Sequence, residues 1–450
     1  MTLNIDCFKA YDIRGQIPNQ LNADVAYRIG NATAEFLKGK RIVVGRDIRL
    51  SSEELTDAVC RGLIEAGVEV LDIGLCGTEM VYFATDHLTA DGGIMITASH
   101  NPADYNGLKL VREEARPISG DTGLKEIRKL AESDDRLVGA EPGFRLSVDI
   151  FDVYVKHLLT YIDVDSLRPL KLVVNPGNGG AGIAMDGLKP YLPFDFVDVN
   201  YPPNGKFPNG IPNPMLLENQ QVTTDAVVAS KADMGIAWDG DFDRCFLFDE
   251  NGMFIDGYYI VGLLAESILQ KNPGSKVIHD PRVVWNTLDI VKAAGGEAVQ
   301  SKSGHSFIKE KMREVDAVYG GEMSAHHYFR DFSYADSGMI PWLLVAELIS
   351  VSGKSLSELV GERMAMYPAS GEINREVEDA RVTLQALHDR YAGKALFVDA
   401  VDGYSFEFED WRFNIRMSNT EPVVRLNVES RGDEALMREK TAEVLEILEA

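Results

Sequence analysis

One order of elements recurs three times along the 450 residues, and it constrains the fold more than any other feature. Each time a short apolar strand is followed by a helix, a strand, a helix and a third strand. The first pass predicts a strand over 41–45, then a helix from the start signature Ser51-Ser52-Glu53-Glu54 to Ala66. A strand over 68–73, a helix over 78–87 and a strand over 93–97 complete it, with a further helix over 23–37 ahead. The second pass predicts strands over 170–175, 195–199 and 234–238 with helices over 181–191 and 216–230. The third predicts strands over 276–279, 297–300 and 317–319 with helices over 285–294 and 305–315. Each repeat is longer than a solenoid unit, so the pattern predicts a triplicated α/β domain with mixed, largely parallel sheets covered on both faces. An amphipathic helix carrying Phe151, Tyr154, Val155, Leu158, Leu159 and Ile162 bridges the first two repeats. The tail differs in class. A helix over 377–391, strands near 395–398, 405–408, 413–417 and 423–429, and a helix over 433–448 predict a smaller α+β domain. The expected domains are 1–148, 149–252, 253–367 and 368–450, with linkers at 132–144, 249–252 and 367–371.

Charge and cysteine usage narrow the function. Forty-five basic against 70 acidic residues leave a formal net charge of −25, which repels nucleic acid and anionic membrane surfaces. An anionic substrate would need basic residues concentrated at its site. Cys7, Cys60, Cys76 and Cys245 show no CxxC spacing and read as reduced cytosolic thiols. The N-terminus lacks a signal-peptide pattern, and the most apolar stretches, 258–269 and 339–351, are too short or too interrupted by charge to cross a bilayer. The expectation is a cytoplasmic protein with no nucleic-acid or membrane partner.

The final strand of each repeat runs into an unusual polar loop. The first reads Thr97-Ala98-Ser99-His100-Asn101-Pro102, the second Asp239-Gly240-Asp241-Phe242-Asp243-Arg244, the third Gly320-Gly321-Glu322-Met323-Ser324-Ala325-His326-His327. Ligands of α/β proteins bind beyond the carboxyl ends of strands, so three equivalent loops predict one shared site. Asn106-Gly107 reads as a two-residue turn that would fold Lys109 back toward Ser99. A serine beside a histidine, with a lysine returned onto it, suits an anion or a transferred phosphoryl group; a polar loop with a capping serine is the plainer reading.

Asp239, Asp241 and Asp243 alternate, which in an extended segment places three carboxylates on one face. Hard oxygen ligands suit Mg²⁺, which pairs with phosphate oxygens. Glu250 completes EF-hand spacing, but Arg244 stands where that loop needs glycine, so an EF-hand is excluded. Arg244 is placed instead to meet an anion near the metal. Glu322, Ser324 and His326 alternate likewise and suit vicinal sugar hydroxyls. Lys302-Ser303-Gly304-His305 opens a helix whose N-terminus favours anions. In the tail, Arg416-Met417-Ser418-Asn419-Thr420-Glu421-Pro422, with Arg425 further on, offers arginine forks, hydroxyls and a turn that together suit a phosphate.

Four of these motifs, TASHNP at 97–102, DGDFDR at 239–244, GEMSAH at 321–326 and RMSNTEP at 416–422, resemble those of the α-D-phosphohexomutases in the same order. The likeness spans essentially the whole chain and is greatest to the bacterial phosphomannomutase branch, which feeds GDP-mannose and polysaccharide synthesis. It implies three similar α/β domains and a smaller C-terminal domain around a central cleft. It implies that Ser99 is the phosphoserine that donates the phosphoryl group, and that Asp239, Asp241 and Asp243 hold Mg²⁺ together with that phosphate. Glu322 and Ser324 would bind the sugar O3 and O4 with His326 nearby. Arg416, Ser418, Asn419, Thr420 and Arg425 would hold the non-reacting phosphate. Tyr11, Arg14, His100, Lys109, Arg244 and His305 would line the reaction centre, beside Gly304. Arg282 stands where many relatives carry lysine; its charge suits substrate, but arginine does not serve as a neutral base. The substrates implied are hexose phosphates, primed by a hexose 1,6-bisphosphate, in a monomer or dimer. Two other classes stay open on the residues alone: a Mg²⁺-dependent sugar phosphatase with Asp239 as nucleophile, and a non-catalytic sugar-phosphate binder.

Overall fold

The structure is a computed structural model that describes residues 4–417 and 423–448. These fall into two compact units, 1–254 with 328–353 and 255–327 with 354–450.

In the first unit the opening repeat forms a six-stranded sheet. Its order is Ile13–Gln16, Tyr105–Arg112, Gly92–Ile96, Arg41–Arg46, Glu69–Leu75, Arg145–Ser147. Gly92–Ile96 is parallel to Arg41–Arg46, which is parallel to Glu69–Leu75, and Arg145–Ser147 continues the parallel set. Tyr105–Arg112 runs antiparallel to both of its neighbours. Gly92–Ile96 is buried along its whole length, as a central strand covered on both faces must be. Helices Ala23–Leu37 and Ser52–Glu65 cover one face and bury Ile29, Val59 and Leu63 against Val44, Ile94 and Leu108. Each such side chain contributes about 1.5–3 kcal/mol by leaving water. Asn22 caps the first helix by accepting from the Asp24 and Val25 N–H groups.

The second repeat places Cys245–Phe248, Met234–Trp238, Lys171–Asn175 and Asp195–Asp198 side by side. The connection between Met234–Trp238 and the antiparallel Cys245–Phe248 is the Asp239–Arg244 loop. Residues 328–353 also belong to the first unit. Buried Glu79, in helix Thr78–His87, accepts from Gly338 N at 2.6 Å, Ser337 Oγ at 2.9 Å and Tyr154 Oη at 2.6 Å. It thereby satisfies the N–H groups ahead of helix Ile340–Ser352.

In the second unit Glu297–Gln300, Lys276–His279 and Tyr319–Gly321 are parallel neighbours. The tail is a wholly antiparallel sheet in the order Ile373–Glu376, Val423–Ser430, Trp411–Met417, Tyr404–Glu407, Phe397–Asp399. Leu384, Leu387, Phe406, Phe413, Ile415 and Val444 form its core. The α/β class with mixed sheets and a smaller α+β tail therefore stands as the repeat pattern predicted. The last strand of the third repeat lies at Tyr319–Gly321, two residues beyond the expected start.

One turn is not where the dipeptide rule placed it. Asn106 and Gly107 lie inside strand Tyr105–Arg112, opposite Gly15 and Arg14, and the chain reverses through residues 97–104 instead. Gly107 is explained by close approach: a Cβ there would sit 2.0 Å from the Ile13 carbonyl oxygen. Helices Gly257–Lys271 and Ile340–Ser352 show no periodic stripe because most of their residues, on all sides, are buried. All four cysteines are free and buried. Among the described residues no helix is long and apolar enough to cross a membrane.

Candidate active site

In the first unit the Ser99 and Asp239–Arg244 loops meet at the ends of strands Gly92–Ile96 and Met234–Trp238. The approach is tight, since a Cβ on Gly240 would lie 2.5 Å from the Ser99 carbonyl oxygen. Ser99 Oγ donates to Asp239 Oδ2 at 2.7 Å and lies 3.1 Å from His100 Nδ1. Arg244 donates to the same Asp239 oxygen through Nε at 2.9 Å and Nη2 at 2.6 Å, and its Nη2 lies 3.4 Å from Ser99 Oγ and against His100 Nδ1. Ser99 has φ of 50°, a left-handed conformation that costs roughly 1–2 kcal/mol for a residue with a side chain and is typical of functional loops.

The three aspartates converge, with one carboxylate oxygen from each within 4.8 Å of the others. The backbone between them is not the extended segment that alternation suggested. Phe242 takes φ of 47° and the loop is a tight reversal, so the carboxylates meet through a turn. Lys109 Nζ donates to Asp241 Oδ2 at 2.8 Å and to Asp243 Oδ2, so its ammonium sits on the aspartates. Burial alone would push that ammonium down, but Asp241 and Asp243 outweigh it and hold it up. Burial raises Asp239 to about 6 against the pull of Arg244. Burial, with Arg244 and Arg14, depresses the His100 imidazole well below its ordinary range. The residues fit a hard divalent cation: the buried Oδ1 atoms of Asp239 and Asp241 accept no hydrogen bond, and the donor set is all oxygen. Arg14 pairs with Asp12 at 2.9 Å and with Asn101 of the serine loop, while Tyr11 is half-buried just ahead of strand Ile13–Gln16.

Two residues of this cluster carried no motif. Thr78, at the start of helix Thr78–His87, donates to Asp241 Oδ2. Arg49 is buried and donates to four carbonyls, three in the serine loop and one at the start of strand Tyr105–Arg112. Its Nη2 meets Ser99 O at 2.9 Å and Asn101 O at 2.6 Å; its Nη1 meets Pro102 O at 2.7 Å and Tyr105 O at 2.9 Å. Asp47 balances its charge at 3.4 Å. Both follow strand Arg41–Arg46 at its carboxyl end, the only signal the sequence offered. Arg49→Ala would leave Asp47 buried and uncompensated, so unfolding stability is expected to fall by about 3–5 kcal/mol, read by chemical denaturation. Arg49→Lys keeps a charge beside Asp47 and is expected to lose less, because only the forked N–H contacts to the loop carbonyls are given up.

The second unit holds the remaining residues. Arg282 pairs bidentately with Asp280 (Nε–Oδ1 3.0 Å, Nη2–Oδ2 2.8 Å). Its Nη2 also lies 3.5 Å from Glu322 Oε1 and 3.4 Å from Ser324 Oγ. Burial alone would lower its guanidinium, but Asp280, Glu372 and Glu322 outweigh that and hold it up. The loop carrying Glu322, Ser324 and His326 is again a turn, closed by Ala325 N to Glu322 O at 3.0 Å and by Ala325 at φ 67°. Ser324 Oγ lies 3.3 Å, and Glu322 Oε2 3.5 Å, from His326 Nδ1. Helix His305–Val315 begins as predicted, but the Gly304 N–H is taken by Glu322 Oε1 at 2.8 Å. It is therefore committed to an internal carboxylate. His305 is half-buried at the helix start. Arg416 and Arg425 face each other on neighbouring strands and both reach Glu372, at 3.1 and 3.2 Å. Ser418, Asn419 and Thr420 lie outside the described residues.

Comparisons with known proteins agree in order and extent. Phosphoglucomutase/phosphomannomutase models match four segments: alpha/beta/alpha domain I over residues 6–137, domain II over 152–252, domain III over 256–367, and the C-terminal domain over 372–446. A phosphomannomutase of Escherichia coli K12 is 59% identical over 451 residues, covering 99% of each chain. Phosphohexose mutases of Xanthomonas campestris are 58% identical over 446 residues, covering 99% of this chain and 100% of theirs. The crystal structure of a phosphoglucomutase/phosphomannomutase family protein from Burkholderia thailandensis superposes with a TM-score of 0.89 at 34% identity, over 100% of this chain and 98% of that one.

Proposed function

The chain belongs to the phosphoglucomutase/phosphomannomutase family, and we propose that it interconverts mannose 6-phosphate and mannose 1-phosphate through a phosphorylated Ser99. The observation that carries this reading is the buried Ser99 Oγ, 2.7 Å from Asp239 in a cluster of three convergent aspartates. The phosphoryl group would leave Ser99 Oγ as a new P–O bond forms to the free hydroxyl of the hexose phosphate. The hydroxyl proton would go to an imidazole, with His100 in the first unit and His305 in the second as the candidates. The hexose 1,6-bisphosphate so formed would turn end for end and return its other phosphoryl group to Ser99.

Asp239, Asp241 and Asp243 would hold Mg²⁺ with the Ser99 phosphate, and the ion would supply charge neutralisation on the transferring group. Arg244 lies within 3.4 Å of Ser99 Oγ and would share that task. Lys109 would balance the aspartates until substrate arrives. Arg49 would hold the serine loop in its strained conformation. In the second unit Glu322 and Ser324, with Arg282 and His326, would bind sugar hydroxyls. Arg416 and Arg425, together with Ser418, Asn419 and Thr420, would hold the phosphate that is not transferred. O3 and O4 are offered again by a flipped ring, so one hydroxyl clamp serves both half-reactions and leaves the 2-OH poorly read. Glucose phosphates are therefore expected as further substrates. The product feeds GDP-mannose synthesis in the cytoplasm.

Turnover of mannose 1-phosphate and of glucose 1-phosphate, each primed with a hexose 1,6-bisphosphate, tests the reading. Conversion of the mannose ester to its 6-phosphate is expected, with the glucose ester turned over within about tenfold, the discrimination that one weak contact, ~1.4 kcal/mol, provides. Release of inorganic phosphate without isomerisation would identify a phosphatase and overturn it.

A further inference from the structure

Arg416 and Arg425 occupy directly opposed positions on strands Trp411–Met417 and Val423–Ser430. Like charges so placed destabilise a sheet, and here a third guanidinium, Arg282, is drawn to the same point. The carboxylate of Glu372 reaches all three. Glu372 immediately precedes strand Ile373–Glu376, whose Asn374 lies opposite Arg425. Its Oε1 accepts from Arg425 Nη1 at 3.2 Å, and its Oε2 accepts from Arg416 Nη2 at 3.1 Å and from Arg282 Nη1 at 3.3 Å. The side chain is 8% exposed. Burial by itself would raise this carboxyl, but the three arginines outweigh it and hold it below the ordinary range. A carboxylate spanning arginine forks offers the same oxygens to the same N–H groups as a phosphate monoester.

We propose that Glu372 is a built-in competitor for the arginine cradle, which sets the affinity of this site for the non-transferred phosphate low enough for the bisphosphate to leave, turn and rebind. This rests on the reading of Arg416 and Arg425 as a phosphate site. Two effects oppose each other. The carboxylate aligns the guanidiniums, which favours a ligand. It also places a fixed negative charge beside an arriving dianion, which disfavours one by at least about tenfold at a separation of ~6 Å in partly buried surroundings. Repulsion wins, because Arg282 is already aligned bidentately by Asp280 and the other two arginines by their strands.

The test is calorimetric titration of inorganic phosphate into the full chain, comparing wild type with Glu372→Gln, Glu372→Asp and Arg425→Ala. Glu372→Gln keeps the shape and one acceptor but removes the charge, so its Kd is expected to fall about tenfold below wild type. Glu372→Asp withdraws the charge by one methylene and is expected to fall between the two. In turnover assays Glu372→Gln is expected to lower KM and kcat together, the signature of an intermediate held too tightly. A phosphate Kd in Glu372→Gln equal to or weaker than that of wild type overturns the proposal, as does undetectable binding in both. If Glu372→Gln does not fold, a Glu372→Asp Kd no lower than wild type overturns it equally. Arg425→Ala separates the two levels: phosphate binding unchanged from wild type would refute the cradle itself, whereas binding lost there with no gain in Glu372→Gln would refute only the role of Glu372.

Discussion

Ser99→Ala is expected to lower kcat by at least about four orders of magnitude, the scale of losing a nucleophile, while leaving the fold in place. The hydroxyl is the atom that would carry the phosphoryl group, and alanine has no oxygen to replace it. Asp239 Oδ2 would keep both of its Arg244 hydrogen bonds, so no buried charge is stranded. Alanine enters the left-handed conformation at a cost similar to serine, so thermal unfolding should shift by no more than a few degrees. Intact mass of wild-type protein is expected to show a fraction one phosphoryl group heavier, and the variant none. Ser99→Asp would carry charge without a transferable group and is expected to stay inactive. Mutase activity near wild type in Ser99→Ala would refute the phosphoserine route.

Chelation of divalent metal is expected to reduce turnover at least about a thousandfold, comparable to removing a principal electrostatic stabiliser, with recovery on adding Mg²⁺. Asp239, Asp241 and Asp243 share two directly paired cations, Lys109 and Arg244, and buried Asp336 adds a further carboxylate beside Asp243. The Oδ1 atoms of Asp239 and Asp241, buried without a donor, are the oxygens an ion would take. Because Lys109 and Arg244 already offset most of the repulsion, the metal-free protein should remain folded. Saturating Mg²⁺ at a hundred times its Kd would add ~2.7 kcal/mol of stability, visible as a rise in Tm. Asp241→Asn is expected to lose activity as chelation does and to gain nothing from Mg²⁺. Full activity in the presence of excess chelator would remove the metal from the mechanism.

What could be read along the chain followed spacing. The alternation of apolar strands and helices marked the three repeats, because burial on both faces leaves near-continuous apolar runs. Ser99, the three aspartates, Arg244 and the Glu322–His326 segment were visible because polar residues break off the apolar runs abruptly at the strand ends. The local path within each loop was misjudged: the aspartate loop turns through left-handed Phe242, and the Glu322 loop, in the other unit, through left-handed Ala325, which no propensity rule places. Asn106-Gly107 misled for the converse reason. A dipeptide that favours a turn was held in a strand by the close packing of Ile13 against Gly107.

Fold class and the polar loops that end each repeat were legible along the chain, since both arise from short-range pattern and residue chemistry. Which charges balance which emerged only in three dimensions. Arg49 clamps carbonyls some fifty residues away, Lys109 reaches aspartates 132 and 134 residues on, and Glu372 answers an arginine 90 residues before it. Those pairings depend on which strand ends are brought together, and a buried charge takes whatever partner the packing supplies, so no local spacing could have announced them.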